Sequence, residues 1–396
     1  MTTSLDRPIS RRNWLMGFAG GVSALTFPGA LRTAVAADPI RMGTFFSLSG
    51  PASLFGPTQT ACNALAVAEV NAAGGILGRQ VEVVPGDGGA PPAEAAKTAV
   101  RMLLQDRVDV IVGSHDSAVR QALVGALKGK VPYVYTPLYE GGECAYNTYV
   151  PADTPQQQIR PSLDALAEMT GARKFYLIGN DYVWPQKSNA AAKGYIADLG
   201  GEVVGEEYAP LGPGNKFDDA VTRIKGAAPD LVLITLVGGD NVNFNRAFAG
   251  FGLDKSITRL SLLLEELTLM GIGAENSGGL YSCMSYFAAV ESPENAAFKQ
   301  RYAEAMGADA PPLSMIGVDA YSGTNCAAAL VNKAGSTDAT ALMAASEGLE
   351  YRTADGTGTM TNRHVNKNMY LAECKGAEFE IVRTFEQVEH GETCTT

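Results

Sequence analysis

The chain has 396 residues, 46% hydrophobic and 18% charged, with 31 basic and 42 acidic side chains and a net charge of −11. Such apolar content excludes global disorder, and the acidic balance argues against a nucleic-acid or anionic-membrane partner, each of which needs a basic face. The three histidines, His115, His364 and His390, are widely separated, so no histidine-rich metal site and no cofactor are expected.

At the N-terminus, Ser10-Arg11-Arg12-Asn13-Trp14-Leu15 places paired arginines before an apolar run that reaches about Leu31. Gly17, Gly20, Gly21, Pro28 and Gly29 break that run, which is too short for a stable membrane span. Ala34-Val35-Ala36 supplies a small-x-small cleavage site. Residues 1–36 resemble a twin-arginine export signal, which predicts a periplasmic protein without stable membrane insertion. Its removal takes four arginines and one aspartate and leaves a net charge of −14. The six cysteines include no C-x-x-C pair. Cys62 and Cys326 sit in alanine-rich helical patterns and read as buried, while Cys374 and Cys394 flank the last strand pattern as a candidate staple.

Strand and helix alternate from residue 40. Ile40–Phe46 reads as strand, Gln59–Asn71 as helix, Gln80–Val84 as strand, and Ala93–Leu104 as a helix entered through Pro91-Pro92. Val108–Gly113 is an apolar, β-branched run of buried-strand type; Ser117–Leu127 follows as helix and Val131–Tyr135 as strand. A proline-bounded stretch, Tyr149–Pro155, interrupts the pattern, which then restarts. Strands are expected at Lys174–Gly179, Glu202–Tyr208, Leu231–Val237, Arg259–Leu264 and Leu280–Phe287. Helices are expected at Ser188–Leu199, Asp218–Lys225, Val242–Phe251, Glu294–Met306 and Ser314–Ala334, and two strands around Lys375-Gly376 within Met369–Thr384. The fold class is therefore α/β, with two doubly wound lobes and a ligand cleft between them at the carboxyl ends of the strands. The expected division is residues 38–152 plus about 288–365 for the first lobe and 153–287 plus about 366–390 for the second.

Four stretches then carry a resemblance: Gly113-Ser114-His115-Asp116-Ser117-Ala118-Val119-Arg120; Tyr139-Glu140-Gly141-Gly142-Glu143-Cys144; Gly179-Asn180-Asp181-Tyr182-Val183-Trp184-Pro185; and Met284–Phe287 with Ser292–Asn295. Through them the chain resembles the type I periplasmic solute-binding proteins of ABC importers, over about residues 40–385. It is more similar to the urea and short-chain amide branch than to the leucine-type branch. The resemblance implies capture of a small polar solute by hinge closure and delivery to membrane permease subunits. His115, Asp116, Leu138 and Trp184 depart from the amide-branch pattern, so the pocket shape and solute can differ.

The candidate ligand residues follow from both lines. Ser114, His115 and Ser117 lie between a buried strand and a helix, where hydroxyls and free backbone N–H groups point into the cleft and Ser114 or Asp116 caps the helix. Tyr135, Thr136 and Pro137 end the fourth strand. Tyr182 and Trp184 match the family's aromatic wall and would face one way in an extended loop. Gly239 and Asp240 open a helix after a strand. Glu140 and Glu143 are expected to fix a loop or lobe contact. An amino-acid-binding protein of the same fold is the alternative, with Asp240 or Glu265 as the acid for an ammonium. An exported hydrolase finds no support, since no G-x-S-x-G, H-E-x-x-H or phosphate loop occurs. Nor do the adjacent Ser114, His115 and Asp116 make a triad, because neighbouring side chains diverge.

Overall fold

The computed structural model describes residues 38–212 and 214–391. The export-signal reading and Cys394 lie outside the described residues.

The first parallel sheet forms from β1 (Ile40–Phe46), β2 (Val81–Asp87), β3 (Val110–Ser114), β4 (Tyr133–Thr136) and the short β5 (Thr148–Tyr149), in the order β2-β1-β3-β4-β5. Every residue of β3 is buried, as a central strand covered on both faces requires. Helices α1 (Gly56–Ala72), α2 (Pro92–Arg101) and α3 (Ser117–Leu127) connect these strands. Val119, Leu123 and Leu127 of α3 join Ala95 and Ala99 of α2 in the core on one face.

The chain then leaves this sheet through α4 (Pro155–Thr170). The prolines of this segment made it read as a break, yet Thr154 and Gln157 form a reciprocal capping box, and Pro155 sits in the first turn, where a missing N–H costs nothing. A second sheet follows from β6 (Lys174–Asn180), α5 (Val183–Asp198), β7 (Glu202–Ala209), α6 (Asp218–Ala227), β8 (Leu231–Thr235), α7 (Gly239–Gly250), β9 (Thr258–Ser261), α8 (Glu266–Ile272) and β10 (Leu280–Met284). The chain returns to the first sheet with α9 (Pro293–Met306), α10 (Met315–Ala334) and α11 (Ala339–Ser346). A small antiparallel sheet, β11 (Leu349–Arg352), β12 (Thr357–Thr361) and β13 (His364–Val365), comes next. Buried α10 residues Cys326, Leu330 and Val331 cover the other face of the first sheet. The final hairpin, β14 (Lys367–Lys375) and β15 (Glu378–Val388), completes the second sheet in the order β15-β14-β10-β9-β8-β6-β7, parallel except for its last two strands.

The alternation, the two-lobed α/β class and most strand positions follow the sequence reading. The disulfide reading does not. Cys374 is a free thiol whose β14 side chain is buried, so the expected Cys374–Cys394 staple does not form; among the described cysteines, Cys144 is disulfide-bonded. Cys62, Cys283 and Cys326 are also free and buried. Among the described residues no helix is long and apolar enough to cross a membrane.

The chain crosses between the sheets three times, before α4, after β10 and between β13 and β14, and one carboxylate joins all three crossings. Asp153, fully buried, accepts the Ser285 backbone N–H at 3.0 Å and the Lys367 ammonium at 2.8 Å. Removing one partner of such a buried pair leaves an uncompensated charge. Lys367→Met should therefore destabilise the protein by about 3–5 kcal/mol. Adding Asp153→Asn should restore part of that loss, measured as urea midpoints in a double-mutant cycle.

Candidate functional site

The carboxyl ends of the parallel strands of both sheets face one cavity. Open α/β sheets bind ligands at this place, because the strand order reverses there and the connecting loops part. From the first sheet come Ser47, Ala52, Phe55 and Gln59 after β1, Ser114 to Ser117 after β3, and Pro137 and Leu138 after β4, with Ile316 from the start of α10. From the second come Tyr182 and Trp184 after β6, Val237 after β8 and Leu263 after β9.

Each polar group on the wall has a definite state. Gln59 accepts the Ser47 N–H at 3.0 Å and donates to the Ser114 carbonyl and hydroxyl at 2.7 and 2.8 Å, so the Ser114 side chain is engaged. Asp116 caps α3 and accepts the Val119 N–H at 2.9 Å. His115 holds its ring between a donor and an acceptor. Nδ1–H donates to the Asp116 carbonyl at 3.0 Å, and Nε2 accepts from the Tyr133 hydroxyl at 2.9 Å. Burial, aided by the Arg120 charge, lowers the His115 pKa to about 4, so the ring is neutral at neutral pH. Ser117 is the exception: it is 1% exposed, and its Oγ, close to the Tyr135 hydroxyl, makes no hydrogen bond of good geometry.

Tyr182 and Trp184 pack edge-tilted with ring centroids 6.3 Å apart. They do so by a different route from the expected extended loop. Tyr182 is the extended residue before α5, while Trp184 lies within its first turn. Burial raises the Tyr182 hydroxyl pKa well above its ordinary value, and Asp116, Tyr135 and Glu140 of the opposite side add to the shift, so this residue reaches across the cleft.

The structure thus brings Ser114, His115, Ser117, Pro137, Tyr182 and Trp184 onto one wall. Four other residues expected at the ligand stand elsewhere. Tyr135 is fully buried behind the wall and donates its hydroxyl to the His115 carbonyl at 2.7 Å. Thr136 points its hydroxyl at the Gly113 carbonyl, 3.3 Å away. Gly239 begins α7 off the cavity, and Asp240 accepts from Asn180 at 2.7 Å and Asn215 at 3.0 Å, pinning two loops. Glu265, the other candidate acid, caps α8 through the Leu267 and Thr268 N–H groups.

Sequence reasoning missed Gln59, Asp116 as a wall residue, and Arg120. The Arg120 guanidinium pairs with Glu140 at 2.7 Å and with Glu143, all nearly buried, and lies over the Tyr135 and Tyr139 rings. An arginine four residues into a helix before a loop with two glutamates was the available signal. Across the cleft, Gly238 meets the first sheet's turn at Pro51. Its φ is +54°, and a Cβ there would sit 2.4 Å from the Pro51 carbonyl oxygen. Only glycine permits this approach.

A sequence profile described as periplasmic binding protein matches residues 39–378. Leu/Ile/Val-binding protein homolog 3 of Brucella melitensis is 24% identical over 355 residues, covering 85% of this chain and 92% of its own. Leu/Ile/Val-binding protein homolog 7 of Brucella abortus is 29% identical over 228 residues, 53% of this chain and 55% of that one. Among solved structures, an ABC transporter solute binding protein from R. palustris in complex with 4-hydroxybenzoate superposes with a TM-score of 0.79 at 24% identity, covering 89% and 98% of the two chains. The branched-chain amino acid transporter substrate binding protein LivJ from Streptococcus pneumoniae, in complex with isoleucine, gives 0.77 at 21% identity over 88% and 100%. These likenesses carry the fold.

The neutral His115 has a consequence for stability. Between its native value of about 4 and the ordinary 6.5, the unfolded chain binds the proton and the folded one does not, so stability falls as pH drops through that window. His364, also lowered to about 4 by burial, acts in the same direction. His115 alone should cost about 3 kcal/mol by pH 4. Glu266, whose carboxyl burial pushes up to about 8, acts in the opposite direction, so the histidine contribution is read as a difference: from pH 7 through 5.5 to 4.5 the urea midpoint of His115→Gln should fall less than that of the unaltered protein.

Proposed function

The chain belongs to the periplasmic binding protein family, and on that premise we propose that it captures a short-chain amide for an ABC importer and hands it to the membrane permease. The segments 38–152 with 288–365 and 153–287 with 366–390 act as the two jaws in this reading, and the periplasm is its place of work. The observation that carries it is the make-up of the cavity wall. One buried hydroxyl without a partner, Ser117, faces a surface made of Phe55, Leu138, Leu263, Ile316 and the rings of Tyr182 and Trp184. Among the described residues no lysine or arginine lines this cavity. A head that accepts a hydrogen bond, joined to a small apolar body and carrying no net charge, complements such a wall.

Urea satisfies the head but has no apolar body, so the wall favours an alkyl amide over it. The four sequence stretches similar to the amide branch point the same way. A branched-chain amino acid is the second reading, favoured by the names of the Brucella relatives and by the Asp116 carboxylate on the wall, an acceptor for an ammonium.

Trp184 makes the test direct, since the only other tryptophan is Trp14, within the expected signal. In a chain starting at residue 37, fluorescence and calorimetry should show affinity rising about fourfold per methylene from acetamide through butyramide, with urea weakest. Strong binding of isoleucine with no response to any amide would overturn the amide reading. Ser117→Ala and Tyr182→Ala should each weaken binding by about 1–3 kcal/mol without unfolding the protein. Gly238→Ala should lower affinity about tenfold, through its left-handed backbone and the contact with Pro51, while every cavity side chain is retained.

A further inference from the structure

We propose that Asp116 sets the class of solute: it places the protein's own carboxylate on the N-terminus of α3, so the cleft takes a head group that donates N–H and turns away carboxylates. The inference rests on the cleft being the solute site and deepens that reading.

A helix N-terminus beside a cavity ordinarily offers free N–H groups and a positive dipole end to a ligand oxyanion. In this chain that place is taken. Asp116 Oδ1 accepts the Val119 N–H at 2.9 Å, and Asp116 lines the cavity. An incoming anion would meet a fixed anion instead of open donors. The nearest cation does not relieve this. Arg120 is shared between Glu140 and Glu143, so this guanidinium and the carboxylates of Asp116, Glu140 and Glu143 sum to two negative charges when ionised. Glu140 is 7% exposed and keeps its Oε2 unpartnered, on an adjoining recess that Val183 and Lys187 of the second sheet also line.

Beside Asp116, the unpartnered Ser117 hydroxyl supplies a donor for a carbonyl oxygen. A primary amide satisfies both groups at once, its oxygen toward Ser117 and its N–H toward Asp116. A carboxylate of the same shape presents oxygen to both and adds a charge. Proteins built to bond a ligand N–H reject the analogue that lacks it far more strongly than they reject a change in alkyl length.

Calorimetry with two isosteric pairs, propionamide with propionate and benzamide with benzoate, tests this on the chain starting at residue 37, alongside Asp116→Asn and Asp116→Ser. Asparagine and serine retain the helix cap, so both variants keep the fold. The unaltered protein should bind the amide of a pair at least thirtyfold tighter than its carboxylate, and both variants should cut that ratio at least tenfold. A carboxylate bound as tightly as its amide, or a ratio unchanged in both variants, overturns the role of Asp116 and leaves the cleft as the solute site. Silence of Trp184 fluorescence and of calorimetry toward all four compounds and toward isoleucine overturns the cleft reading, and the role of Asp116 with it.

Discussion

Asp153 is where the two halves of this molecule are held together. One carboxylate with no exposure accepts an amide from the second crossing and an ammonium from the third, while its own backbone lies on the first. Its N–H also reaches the Pro137 carbonyl at 2.9 Å, and its carbonyl accepts from Tyr139 at 2.9 Å. In a medium of low dielectric these bonds are strong while all are made and costly when one is lost. The same residue therefore also holds the turn after β4, whose Pro137 and Leu138 line the cavity.

The same economy of charge governs the site. Most polar groups near the cavity are already engaged by another part of the protein. His115 loses its proton through burial and holds a tyrosine and a carbonyl. Arg120 is consumed by two glutamates. Asp116 is bound by its own helix. What remains is a neutral donor, Ser117, among hydrocarbon and ring faces, with one carboxylate edge on the wall.

Much of this was legible in the residues alone because the governing signals are local. The uniformly apolar runs at Val110–Val112 and Leu231–Ile234 state that both faces of their strands are covered, and covered strands joined by helices make a parallel sheet. The wall from Ser114 to Ser117 was equally readable, since a polar turn after such a strand must sit at its carboxyl end. The failures are instructive in the same terms. Pro151 and Pro155 suggested a break where a capping box starts α4, because the cap outweighs one missing N–H. Helix α5 was expected to begin at Ser188 but begins at Val183, which turned an expected extended wall into the first turn of a helix. Tyr135 and Thr136 occupy the right loop region yet face inward, and nothing in a strand of four buried residues says which side chains meet solvent.

Asp240 and Asp116 show why residue type alone does not locate a binding group. Both are acids at the start of a helix that follows a central strand, and burial pushes the carboxyl pKa of each upward. Asp240 is enclosed by two asparagine side chains that fix neighbouring loops, so its oxygens face protein. Asp116 bonds the backbone of its own helix and lines the cavity. The distinction lies in the partners that surround each carboxylate, and these come from segments distant in the chain: Asn180 and Asn215 for one, the opposing Tyr182 for the other. A cap that satisfies its helix from one side and faces an apolar chamber from the other is a polar edge held rigidly in place.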